Sequence, residues 1–282
     1  MTIRNLFHQK PRTAFVLGGG GNLGAVQVGQ LKALLTSGII PDVVIGCSVG
    51  ALNGAAIAGE PTLDEIDRLA ELWRRLSRED IFPASKLGRG PWMFVRNGLS
   101  AFSDNGLRRV IDGWLSYRLF EEARIPFWAV ATSRRTGREH WFHSGDVARP
   151  LLASTALPGV FPPVSIDGHP YIDGGVVNNV PVSKAYELKA RRVYVLDVGS
   201  LERERREPKR PYEVLMHAVS IARASRLRID RENVPEGVQM IQLPGIDTGK
   251  LRYDNFTRSA ELIERSYRAS MGFLSQAHAQ IA

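Results

Sequence analysis

Cysteine is almost missing from this chain: Cys47 is the single one among 282 residues. No intrachain disulfide can form, which suits a reducing compartment. No apolar run approaches the length of about 18 residues that a membrane-spanning helix needs. The opening stretch MTIRNLFHQKPRTAFVLGGG also lacks the apolar core and small-residue cleavage site of a secretory signal. A cytoplasmic location is therefore expected, with peripheral membrane contact left open. Zinc-finger spacing, ribonucleoprotein aromatic motifs and a helix-turn-helix pattern are absent too, so nucleic acid is not an expected partner. The formal net charge of +8 nonetheless favours anionic partners, an anionic membrane surface among them. The densest charged run, LERERREPKRP at 201–211, mixes both signs and reads as a solvated loop.

What is present is the composition of a globular protein, with 44% hydrophobic and 23% charged residues. The pattern alternates short apolar runs with helical spacings. Strands are expected at Thr13–Leu17, Val43–Ile45, Phe127–Thr132, Glu139–His143, Arg192–Val198 and Val238–Leu243. Helices are expected over Ala25–Ser37, Ala51–Ala58, from a Thr62 cap to about Leu76, Val182–Lys189, Tyr212–Arg231 and from about Thr257 onward. Such alternation predicts an α/β fold with a mainly parallel sheet covered on both faces. The chain 1–282 reads as one domain, with 60–120 as a helical excursion over the sheet edge. Within it, SKLGRGPWMFVRNGLSAF (85–102) interleaves cations with aromatics, as a lid, a bilayer-resting segment or a loop packing its aromatics onto the domain would.

Three loops carry chemistry. LGGGGNLG, residues 17–24, satisfies GxGxxG through Gly19, Gly21 and Gly24, between a strand and a helix. Uncovered amides at a helix N-terminus stabilise an anion, whether a pyrophosphate or the oxyanion of acyl transfer. The same spacing serves NAD(P)-binding oxidoreductases, which also need an acidic residue after the second strand. Here Asp42 precedes that strand, and GCSVG follows it. GCSVG, Gly46–Gly50, has the strand-to-helix context of a nucleophile elbow, which would thrust Ser48 outward and leave Cys47 packed as a small apolar side chain. YIDGGVVNNVP, from Tyr171, offers Asp173 followed by Gly174 and Gly175. A serine needs a base. Of six histidines, His169 in the turn SIDGHP is the best placed, Asp173 is the alternative, and an ordinary Asp-Gly turn accounts for the same residues.

Taken in order, GGGGNLG, GCSVG and DGG, with ASTALPGVFPP (153–163) and NNVP between and after them, resemble the patatin-like phospholipase family, over roughly Thr13–Val198. The resemblance implies a three-layer α/β/α sandwich that hydrolyses acyl esters of lipids, phospholipid or lysophospholipid. It implies Ser48 as nucleophile, Asp173 as its base and amides around Gly19, Gly20 and Gly21 as the oxyanion hole, without metal or organic cofactor. One position departs: the family carries Arg or Lys where this chain has Leu23. A lipid-binding module of the same fold without strong catalysis is the alternative within the family.

Overall fold

The computed structural model describes residues 13–82, 100–198, 211–248 and 254–281. Most of the 85–102 segment and nearly all of the 201–211 run therefore lie outside the described residues.

Eight strands form one sheet: β1 (Thr13–Leu17), β2 (Val43–Cys47), β3 (Phe127–Ser133), β4 (Glu139–Phe142), β5 (Val164–Ile166), β6 (His169–Asp173), β7 (Arg192–Leu196) and β8 (Gln239–Gln242). Their order is β5-β6-β3-β2-β1-β7-β8, with β4 also paired to β3. From β3 to β8 the sheet is parallel, whereas β4, β5 and β6 add an antiparallel extension. Within it β4 meets the strand expected at Glu139–His143, whereas the β5–β6 hairpin is the part the sequence pattern did not foresee. The hairpin turns on Asp167 and Gly168, both at positive φ (49° and 73°), the geometry of a two-residue primed turn.

The helices are α1 (Gly24–Thr36), α2 (Val49–Gly59), α3 (Leu63–Arg75), α4 (Arg78–Ile81), α5 (Asn105–Trp114), α6 (Ala148–Ser154), α7 (Val182–Glu187), α8 (Pro211–Glu232) and α9 (Ser259–Ile281). Side chains alternate across a strand, so each central strand feeds two cores. Phe15 and Leu17 of β1, with Tyr194 and Leu196 of β7, join the larger core, which takes buried residues from α1, α2, α3, α5, α6 and α9. Ala14, Val16, Val193 and Val195 face the other way, onto Val182 and Ala185 of α7 and Leu227 of α8. The result is a three-layer α/β/α arrangement. Thr62 caps α3 by accepting the Glu65 amide, and α3 buries Ile66, Leu69, Ala70 and Trp73 in the larger core. Among the described residues, no helix is long and apolar enough to cross a membrane.

The strand register brings two distant loops together. One edge of β3 is taken by β4 over Ala129–Thr132. On the other edge β2 pairs as far as Cys47↔Val130, and β6, running the opposite way, pairs as far as Asp173↔Ala131. The ends of β2 and β6 therefore meet head-on at adjacent β3 residues. Whatever follows Cys47 must lie beside Asp173.

Candidate active site

Ser48 follows Cys47, at the turn from β2 into α2. Its φ of 53° is a backbone state that side-chain-bearing residues rarely adopt, and it swings the side chain out of the strand line. So tight a strand–helix junction requires a missing Cβ nearby: one built on Gly50 would overlap the Leu17 and Gly18 carbonyls of the glycine loop. Cys47 is fully buried, and burial pushes its thiol well above the usual range.

The Ser48 hydroxyl donates to Asp173 Oδ2 at 2.7 Å. Ser48 is partly exposed, whereas Asp173 is 3% exposed. Asp173 is fixed from every side. Its amide donates to the Ala156 carbonyl at 2.9 Å, the Gly175 amide donates to Oδ1 at 2.7 Å, and the Thr132 hydroxyl donates to the Asp173 carbonyl at 2.9 Å. Burial raises its pKa above the ordinary carboxylate value; the Arg223 guanidinium, the Ser48 hydroxyl and the Gly175 amide pull it part of the way back.

The glycine loop stands next to this pair. A Cβ on Gly19 would sit 3.2 Å from the Ser48 Cβ. The Gly19 amide is already spent, donating to the Asn179 carbonyl at 2.9 Å, and the Asn179 side chain returns a bond to the Gly19 carbonyl. The Gly20 and Gly21 amides have no acceptor among the described residues. A chain of buried side chains holds the loop from behind. Trp73 Nε1 donates to Asn53 Oδ1, Asn53 Nδ2 to Gln27 Oε1, and Gln27 Nε2 to the Gly18 and Leu196 carbonyls, at 2.7–3.0 Å. Gly24 begins α1, and its carbonyl accepts from Asn53. Gly46 is the penultimate residue of β2, just before Cys47, and Gly174 and Gly175 form the turn after Asp173.

Other candidates fall away from this point. His169 opens β6, exposed, its Nδ1 against the Asp167 carbonyl. Four residues of strand put it about 13 Å from Asp173. Asp42 sits before β2, at the far ends of the strands from the glycine loop, and accepts the Thr13 amide.

Two contributors escaped the sequence reading. Ser154, fully buried at the end of α6, accepts the Ser48 amide at 2.9 Å; it lies within ASTALPGVFPP, where nothing local marks it for this role. Arg223, on α8, donates from Nε to the Gly175 carbonyl at 2.6 Å, and nothing in its local sequence sets it apart from the neighbouring arginines.

The segment that matches a known family contains all of these loops. A family model described as patatin-like phospholipase covers residues 15–186. The rat (Rattus norvegicus) patatin-like phospholipase domain-containing protein 7 is 34% identical over 189 residues, 66% of this chain and 14% of the rat protein. A lysophospholipase, NTE1, of Yarrowia lipolytica is 34% identical over 195 residues, 66% of this chain and 13% of its own. The chain thus spans about a seventh of the length of these relatives. The crystal structure of VipD from Legionella pneumophila aligns with a TM-score of 0.45 at 14% identity, covering 95% of this chain and 67% of that one.

Proposed function

The chain belongs to the patatin-like phospholipase family, and on that premise we propose that it is a serine acyl hydrolase cleaving fatty-acyl esters of phospholipids or lysophospholipids. The observation that carries the reading is the 2.7 Å hydrogen bond from the Ser48 hydroxyl to the buried Asp173 carboxylate, made from a backbone at positive φ.

In this reading Asp173 takes the Ser48 proton as Oγ attacks the ester carbonyl, forming the new C–O bond. The oxyanion is received by the Gly20 and Gly21 amides; the Gly19 amide, expected to join them, instead braces the loop on Asn179. One such donor contributes about 3 kcal/mol of barrier lowering. The C–O bond to the leaving alcohol then breaks, and Asp173 returns the proton to that alcohol. A water, deprotonated by the same carboxylate, attacks the acyl carbonyl; the bond to Ser48 Oγ breaks, Asp173 returns the proton to Oγ, and the fatty acid leaves. A carboxylate of ordinary pKa is a weak base near neutrality, so the burial that raises Asp173 serves the chemistry. No metal or organic cofactor enters any step. A lipid names the substrate class, and the positive net charge favours encounter at an anionic membrane surface.

The test is direct. An organophosphorus ester should label wild-type protein once, at Ser48, and 4-nitrophenyl acyl esters should be hydrolysed. Ser48→Ala and Asp173→Asn should each lower kcat/KM by about four orders of magnitude while circular dichroism stays unchanged. Near-full activity in either variant removes that residue from the mechanism.

A further inference from the structure

Arginines recur along the second half of α8, at 223, 226, 228 and 231. Two of them turn toward the body of the protein, and their circumstances differ. Arg226 Nε lies 3.2 Å from Asp230, and the same guanidinium reaches the Ser183 hydroxyl, so its charge is locally matched. Arg223 has no acidic partner within ion-pair reach among the described residues. It donates from Nε to the Gly175 carbonyl at 2.6 Å. The amide of that same Gly175 donates to Asp173 Oδ1 at 2.7 Å. One residue thus joins the guanidinium to the carboxylate that faces Ser48, and Arg223 itself is half-buried, where charge is only partly screened.

We propose that Arg223 is a positioning residue for ester hydrolysis, bracing the turn that aims Asp173 at Ser48 and supplying the unmatched positive charge that faces the carboxylate. The inference rests on the Ser–Asp reading above. It reaches beyond the matched segment 15–186, since α8 lies wholly outside it.

The surroundings of Asp173 leave this role to Arg223. From the end of β2 it faces the Ser48 hydroxyl and the Cys47 thiol, which burial keeps protonated. From β3 comes the Thr132 hydroxyl, bonded to the main chain only, and from its own turn the Gly175 amide. Among the described residues Arg223 is the charged group acting on it, and it opposes the effect of burial. Without that charge a carboxylate this deep would hold its proton to higher pH and would be protonated, hence idle as a base, over more of the working range.

The experiment compares the full chain with Arg223→Gln and Arg223→Lys, following kcat/KM for 4-nitrophenyl butyrate from about pH 4 to about pH 9. The acid limb should move to higher pH in Arg223→Gln, with kcat/KM near pH 5 reduced about tenfold. Arg223→Lys, which keeps the charge and loses the planar fork, should restore the limb while recovering only part of the rate. Arg223→Met keeps the aliphatic stem and replaces the glutamine variant should that one not fold. A limb that stays where it is in the neutral variant, whatever happens to the plateau, reduces Arg223 to a structural hydrogen bond and overturns the inference. So does a lysine variant that matches the neutral one, or failure of all three to fold. If instead Asp173→Asn retains activity, it is the Ser–Asp reading that has failed, a separate result.

Discussion

Ser48 and Asp173 reach the same point from opposite parts of the sheet, and the two parts hold them by different physics. The serine comes off the parallel half. Its elbow is set by steric fit, with Gly50 against the Leu17 carbonyl, and the adjoining loop by a neutral relay from Trp73 through Asn53 to Gln27. The aspartate comes off the antiparallel hairpin of β5 and β6. It is set by charge and burial, with Arg223 on one side of the balance and desolvation on the other. One half should therefore answer to volume and to lost hydrogen bonds, and the other to protons.

The largest break in that contrast would come at Gly50. Gly50→Ala puts a methyl group into backbone that has nowhere to retreat, so it should cost about 3 kcal/mol or more and abolish activity. Thermal denaturation and ester hydrolysis measure both, and an active, stable variant would dismiss the steric account. Asn53→Ala should come next, costing about 2 kcal/mol because it strips the Trp73 donor of its acceptor inside the core. It carries no charge, so kcat/KM should fall while the acid limb keeps its position. A moved limb would blur the distinction between the halves.

The smallest effect sharpens the aspartate side. The folded pKa of Asp173 is raised above the ordinary 3.8, so the folded protein holds that proton more tightly than the unfolded chain does. The stability it contributes is full below the unfolded value and lost as pH rises through the folded one. At neutral pH, then, the ionised form is a burden on the fold. Asp173→Asn should melt at or slightly above the wild-type temperature at pH 7, with the gap closing toward pH 4. A variant that melts well below wild type at pH 7 contradicts the sign.

Most of the parallel half was legible residue by residue. TAFVL and VVIGC are buried throughout and, Thr13 apart, apolar, because parallel strands covered on both faces need apolar side chains both ways, and GCSVG announced its turn through its glycines. The antiparallel half was legible only in part. The stretch VSIDGHPYI contains a two-residue hairpin signal, Asp-Gly between alternating apolar residues, yet it reads as a plain turn with an exposed histidine when taken alone. Helix α6 was missed because ARPLLAS is short and holds a proline, which is harmless in a first turn.

The alternation of strand and helix periods determined the α/β class, because periodicity is a local property, and the order of the glycine, GCSVG and DGG motifs carried the resemblance that implies the family and the serine–aspartate pair. Tertiary structure alone decided that β2 and β6 abut along β3, that the Gly19 amide is spent on Asn179, and that an arginine about fifty residues beyond Asp173 faces the carboxylate. Those facts arise from register and from through-space charge, and neither leaves a mark in neighbouring residues.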